Sequence, residues 1–406
     1  MRSATERFIE YVKFDTGSDS SKECFPSTPG QKVFAAHLAE EMRSIGVSDV
    51  VMDETYGYVY GKIPATPGME DKKVVALLAH MDTSEEASGK DVKPRIVDYK
   101  GGVIELNEDG DTLNPETYPE LNNYVGKTLV VTDGHTLLGA DDKAGVAEIM
   151  TMAEILLNDS SIAHGPVSIA FTPDEETGRG VDFINLEKLG ADYGYTVDGG
   201  GIGELEYENF NAASASIVIH GISIHPGDSK NKMVNASRVA MELDSKIPDS
   251  MRPETTEKYE GFFHLDSFEG SVERAELYYI IRDHDRGLLE EKKKLLENAV
   301  NDLKSRYGDG ICDLEIKDQY YNMREIIEPD YMFLIDYAKA AYEAEGVTPI
   351  IKPIRGGTDG ARLSFMGLPC PNICTGGRNY HGRFEYCCSE DMEIISRILV
   401  RLISAF

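Results

Sequence analysis

The sequence predicts an α/β domain with a smaller α+β domain inserted into it. Three observations carry this expectation. Short, nearly continuous apolar runs alternate with helix-patterned stretches through the first half of the chain. Near residue 209 the pattern changes to alternating strands and amphipathic helices, and near residue 331 the first pattern resumes. At 406 residues the chain exceeds what one simple core holds, so two domains are expected.

Taken in order, residues 7–13 and 31–45 carry apolar side chains at helical spacing, and residues 58–63 read as a strand. Residues 73–80 (Lys-Val-Val-Ala-Leu-Leu-Ala-His) form a short apolar run, as in a strand covered on both faces. Residues 144–157 are helical, 167–172 form a second buried strand and 195–198 a short one. This pattern puts helices on both faces of a mixed sheet. Residues 84–129, rich in Gly, Pro, Asp and Asn, are long for a connection; they hold a hairpin or form a loop that shapes a site. In the inserted stretch, residues 213–221, 262–265, 275–282 and 313–321 alternate as strands, with helices expected at 232–247 and 286–307. A helix at 331–345 and a strand at 349–353 return to the α/β pattern. The expected division is residues 1–208 with 321–406 as a discontinuous first domain, and 209–320 as the insertion.

Composition excludes several classes. Lys and Arg number 41 against 71 Asp and Glu, a formal charge of −30, which repels nucleic acid and anionic membrane surfaces. No run approaches the roughly 18 apolar residues of a membrane span, and residues 1–13 read as an amphipathic helix without the apolar stretch of a signal peptide. The six cysteines follow no framework, and Cys370 and Cys374 have no partner pair at zinc-finger spacing. A reducing, cytoplasmic setting is expected.

The chemistry lies at the ends of the apolar runs. His80 and Asp82 close a buried strand, where residues i and i+2 point the same way, at the carboxyl end where ligand sites of open α/β sheets collect. Asp82 is placed to fix the tautomer of His80 if the imidazole binds a metal. Asp141-Asp142 opens a helix; one Asp suffices as a cap, and two exceed that need. Asp174-Glu175-Glu176 follows the second buried strand, and three acids in a row repel one another unless a cation is present. Adjacent residues project differently, so one Glu can bind metal while the other serves as a general base. Asp198 follows a further strand, and His381 lies in a Gly-rich loop. Together these residues suit a pair of divalent metal ions with one carboxylate left for proton transfer.

On these residues the chain resembles the two-zinc metallopeptidase family that includes aminoacylase- and carboxypeptidase-type enzymes. The matching segments are Ala79 to Ser84, Leu138 to Gly145, Pro173 to Gly178, Thr196 to Gly200, His225-Pro226-Gly227, Lys232 to Ala236, Ile281-Arg282-Asp283, Pro353 to Gly360 and Asn379 to Gly382, running in family order through most of the chain. His225-Pro226-Gly227, Arg355 to Gly360 and Asn379 to Gly382 look like the tripeptide aminopeptidase branch in particular.

The resemblance implies a mixed-sheet two-zinc catalytic domain with an inserted lid or dimerisation domain. It implies two zinc ions per subunit, with Mn or Co as substitutes. His80 and Asp198 would hold one ion, Glu176 and His381 the other, and Asp141 would bridge them, with a strained or cis peptide to Asp142. Asp82 would orient His80, and Glu175 would be the general base. His225, Asn235, Arg282, Arg355 and Asn379 would bind the peptide's carboxylate end and the developing oxyanion. The implied protein is a cytoplasmic homodimer that cuts the first residue from tripeptides. Another amide hydrolase of the family, a dipeptidase or N-acyl amino acid deacylase, is the alternative; an inactive metal- or peptide-binding protein would not require a free acid beside the metals.

Overall fold

A computed structural model describes residues 1–406. The chain divides into two compact units. The first comprises Met1–Tyr207, Glu325–Lys352 and Thr358–Phe406; the second comprises Glu208–Arg324 and Pro353–Gly357.

The first unit is built on an eight-stranded mixed sheet. In chain order its strands are β1 (Ser48–Met52), β2 (Val59–Ile63), β3 (Val75–His80), β4 (Val167–Thr172), β5 (Tyr193–Gly199), β6 (Glu204–Glu206), β7 (Ile350–Ile351) and β8 (Asn372–Cys374). Across the sheet they run β1-β2-β4-β3-β5-β8-β6-β7. The three central strands β4, β3 and β5 are parallel, so their carboxyl ends lie side by side. Every residue of β3 and β4 is buried. The period of two divides them between two cores. Val75, Leu77, Ala79, Val167, Ile169 and Phe171 face the helices Ala4–Tyr11, Pro29–Ile45, Ala140–Asn158, Met332–Ala344 and Ser389–Ile403. Ala76, Leu78 and Ala170 face a smaller core with Leu189, Leu363 and Leu368.

Residues 84–129 resolve into short elements rather than a bare loop. Arg95–Asp98 pairs with Thr128–Val131, which pairs with Tyr386–Cys388, and Gly377–Arg378 closes this second sheet. A two-stranded pair, Ile104–Glu105 with Thr112–Leu113, lies between them in the chain. The second sheet matters for the site because the turn joining Gly377–Arg378 to Tyr386–Cys388 carries His381.

The second unit is an antiparallel four-stranded sheet in the order Phe262–Gly270, Arg274–Asp283, Asn211–His220, Cys312–Tyr320. Alternate residues of its central strands, Ala213, Ala215, Ile217 and Ile219 with Ala275, Leu277, Tyr279 and Ile281, share a core with the helices Ala236–Asp244 and Arg286–Tyr307. The helix expected from residue 232 starts only at Ala236. Asn235 caps it by accepting the Arg238 amide, and Val234 is taken up in a bridge to Ile222. The boundary also differs from expectation: residues 208, 321–324 and 353–357 group with the second unit. The Ile354 amide donates to the Glu208 carbonyl, and the Phe210 amide donates to Gly356. The Arg355 guanidinium donates to the Glu260 carbonyl at 3.0 Å and lies 5.1 Å from the centre of the Phe210 ring. A short apolar run at 349–353 gave no sign of this crossing. No helix is long and apolar enough to cross a membrane.

Glu206, at the end of β6, is buried and accepts a hydrogen bond from the Asn372 amide group at 2.9 Å. Burial pushes its carboxyl up to about 7 from an ordinary value near 4.5. The folded protein therefore binds this proton more tightly than the unfolded chain does. Ionising it lowers stability, an effect absent below about pH 4.5 and complete above about pH 7. Glu206→Gln keeps the acceptor toward Asn372 and removes the charge. We expect it to raise stability by about 2 kcal/mol at pH 8 and leave it unchanged near pH 4.5, read from urea unfolding at both pH values.

Candidate metal centre

The carboxyl ends of β4, β3 and β5 bring the acids together. His80 ends β3, Glu175 and Glu176 lie in the turn after β4, and Asp198 is the penultimate residue of β5. Asp141 comes from the start of the helix Ala140–Asn158. There Gly139 takes φ +82, Asp141 and Asp142 have non-helical angles, and the bond between them is cis. His381, with φ +61, comes from the turn of the second sheet.

Two donor groups form, and Asp141 belongs to both. His80 Nε2 lies 2.9 Å from Asp141 Oδ1 and 3.4 Å from Asp198 Oδ1. His381 Nε2 lies 3.2 Å from Asp141 Oδ2 and 3.0 Å from Glu176 Oε2. Within each group the ligand atoms are within 4.8 Å of one another. Glu176 Oε1 is buried without a hydrogen-bond partner, an orphan that a cation would satisfy. Imidazole and carboxylate donors in two groups around one shared Asp fit a pair of divalent ions.

The electrostatics describe a site crowded with acids. Burial pushes the Glu176 carboxyl up to about 8, with Asp141 adding to the shift. Burial takes Asp198 to about 6. Burial would raise Asp141 too, but His381 and His80 overcome it and hold Asp141 well below the usual carboxylate range. His381 is carried up to about 11 by its bonds to Asp141 and Glu176. Glu175 is raised well above its ordinary value by burial and then by the charge of Asp198. No hydrogen bond holds the Glu175 carboxyl, so it stays available for a proton.

Asp82 faces His80 and also does more than that. The nearest partner of His80 Nδ1 is the Asp82 backbone carbonyl at 3.0 Å, with the carboxylate oxygen at 3.4 Å. The carboxylate accepts the amides of Glu175 at 3.0 Å and Glu176 at 3.1 Å. Asp82 thus fixes the backbone of the acid turn as well as facing the imidazole. Asp142 is buried, and its carboxylate accepts the His80 amide.

Of the residues expected to contact substrate, Asn379 lies in the first unit and donates to the Phe384 carbonyl. His225, Asn235, Arg282 and Arg355 lie in the second. His225 is exposed and Asn235 caps its helix. Arg282 donates to the Ala213 and Ile281 carbonyls and lies over the Tyr320 ring.

Two buried acids near the centre went unread. Glu385 accepts the amides of Leu138 and Gly139 at 2.7 Å each and of Asp141 at 3.1 Å, so it holds the loop that presents Asp141. It sits four residues after His381 with no pattern to mark it. Asp359 stands within the Arg355 to Gly360 stretch, where only Arg355 had a role.

Residues 207–308 match the family of peptidase dimerisation domains. Peptidase T of Alkaliphilus oremlandii is 52% identical over 410 residues, covering all of both chains. Among solved structures, the aminopeptidase PepT of Bacillus cereus is similar with a TM-score of 0.77 and 24% identity, over 99% of this chain and 97% of that one. A tripeptidase of Staphylococcus aureus matches with a TM-score of 0.78 and 21% identity, over the same shares. The fold and the site define a metallopeptidase of the M20 class. Within that class, the chain belongs to the peptidase T family.

Glu385→Gln loses one of the two oxygens that receive the loop amides and turns an N–H toward one of them. We expect metal affinity to fall about 10- to 100-fold, as for other groups that orient ligands, measured by competition with a chelator. Unchanged affinity would remove Glu385 from the support of Asp141.

Proposed function

We propose that this protein is an aminopeptidase that removes the N-terminal residue of tripeptides, using two divalent metal ions. The observation that carries this reading is a pair of donor groups sharing Asp141, with the Glu175 carboxyl beside them and free of hydrogen bonds. The relatives' names and the tripeptidase fold support the substrate class. We assign His80 and Asp198 to one ion, Glu176 and His381 to the other, and Asp141 to both. Zinc suits this imidazole and carboxylate set, and Mn or Co can substitute. When bound, the ions supply Lewis acidity and lower the pKa of water.

Glu175 accepts a proton from the attacking water at its carboxylate and returns it to the departing amine nitrogen. Asp82 fixes Glu175 and Glu176 through their amides and faces His80. His225, Asn235, Arg282, Arg355 and Asn379 are assigned to the substrate's carboxylate end and developing oxyanion, on the resemblance of their segments to the family. An arginine anchor for a carboxylate measures peptide length, which explains a preference for short chains. The match to a dimerisation domain supports a homodimer, and the sparse cysteine use supports the cytoplasm.

The test is release of the N-terminal residue from a tripeptide, set against the matching di- and tetrapeptide and an acyl amino acid, before and after chelation and zinc return. Zinc-restored cleavage confined mainly to the tripeptide is expected; preference for dipeptides or acyl amino acids would overturn the substrate. Glu175→Ala is expected to lower kcat by about 10²–10⁴ with metal content unchanged, measured by steady-state kinetics and metal analysis. Amidating the tripeptide's C-terminus is expected to raise KM about tenfold or more, and an unchanged KM would remove the arginine anchor.

A further inference from the structure

Thr358-Asp359-Gly360 has no role in the reading above, yet Asp359 is buried beside the acid turn. We propose that Asp359 is a positioning residue that clamps both ends of the turn carrying Glu175 and Glu176. This rests on the proposed roles of those two acids.

The clamp is visible in the contacts. Asp359 begins the helix Asp359–Phe365, and its Oδ2 accepts the Thr172 hydroxyl at 3.0 Å. Thr172 is the last residue of β4, where the turn begins. The same carboxylate packs against Gly180, four residues beyond Glu176, so closely that a Cβ on Gly180 would collide with both oxygens. One side chain therefore touches the chain before and after the acids. Arg362, one helical turn on, faces the same way. It donates to the Gly178 carbonyl at 2.8 Å and pairs with Asp182 at 2.6 Å.

The turn needs an outside hold. It has few bonds of its own, chiefly Gly178 to the Glu175 carbonyl and Arg179 to the Asp174 carbonyl. Asp174 sits at φ +56, a conformation side chains other than glycine seldom adopt. Asp174, Glu175 and Glu176 also repel one another. Asp82 holds the middle of the turn through two amides, and Asp359 closes it at the ends. The clamp needs an acceptor rather than a charge, because its hydrogen-bond partner is a neutral hydroxyl.

The test compares wild type, Asp359→Ala, Asp359→Asn, Thr172→Val and the Asp359→Ala/Thr172→Val double variant. Tripeptide kcat and KM and the thermal midpoint are read on the metal-loaded proteins, and binding of the second metal ion is read by calorimetry after chelation. A displaced base lowers kcat steeply, so Asp359→Ala and Thr172→Val are each expected to lower kcat about 10- to 100-fold with KM within about twofold. Because Glu176 rides on the same turn, both also weaken the second ion about tenfold. Asp359→Asn keeps the acceptor and stays within about threefold of wild type in both readouts, a rescue that follows from the clamp. The double variant is no worse than Asp359→Ala, as for two ends of one contact.

Normal kcat and metal binding in Asp359→Ala, effects that multiply in the double variant, or Asp359→Asn as damaged as Asp359→Ala would each overturn the clamp. Thr172→Val removes only a hydroxyl and keeps the question decidable if Asp359→Ala fails to fold. If wild type does not cut tripeptides, the proposed function fails, and second-ion binding still decides the clamp.

Discussion

Mutual repulsion among buried carboxylates is the constraint around which the first unit is arranged. Asp82, Asp141, Asp198, Glu175 and Glu176 lie at the ends of three adjacent strands and at the start of one helix, mostly out of water. Ionised together without compensation, such groups would be too costly to hold in a folded chain. Compensation comes from two sources. Imidazole nitrogens of His80 and His381 stand within hydrogen-bond reach of the acids. Backbone amides are turned toward carboxylates at Asp82, Asp142 and Glu385. What remains uncompensated, including Glu176 Oε1, is the charge deficit that cations fill.

The sheet makes this arrangement possible. Parallel strands deliver their carboxyl ends to one edge, and two buried faces keep β3 and β4 from shifting. A slip of one residue would exchange Leu77 for Leu78 between the two cores and turn His80 away. The same packing that stabilises the unit therefore holds the imidazole in place. The outer support is more local: Asp174 is gripped by Ser27 and Gln31, and Glu385 grips the Asp141 loop.

Much of this was legible where burial imposes a pattern. β3 and β4 are covered on both faces and read as continuous apolar runs, and the acids that follow them stand out against that background. The edge strand β1 was not legible, because its burial alternates weakly and Asp49 interrupts it with φ +50. Residues 84–129 hid several short strands, since two- to four-residue elements leave no period to detect. Glu385 and Asp359 were illegible for a different reason. Each acts through backbone amides, a hydroxyl or a glycine far away in the chain, and a single acid carries no trace of partners 187 or 247 residues distant. The metal donors were visible as a set, whereas their supports become visible only in three dimensions.

The crossing of Pro353–Gly357 into the second unit bears on the order in which the chain is finished. Phe210 and Phe262 pack edge to face in that unit, and Arg355 covers both rings. Arg355 lies 95 residues beyond Glu260, whose carbonyl it binds. At about 5–20 residues per second, a ribosome needs roughly 5 to 20 seconds to supply it. For that interval the second unit waits with its aromatic pair uncovered while the chain has already returned to the first. The second unit is therefore completed only once Gly357 has emerged, and the first, begun earlier, is completed after it.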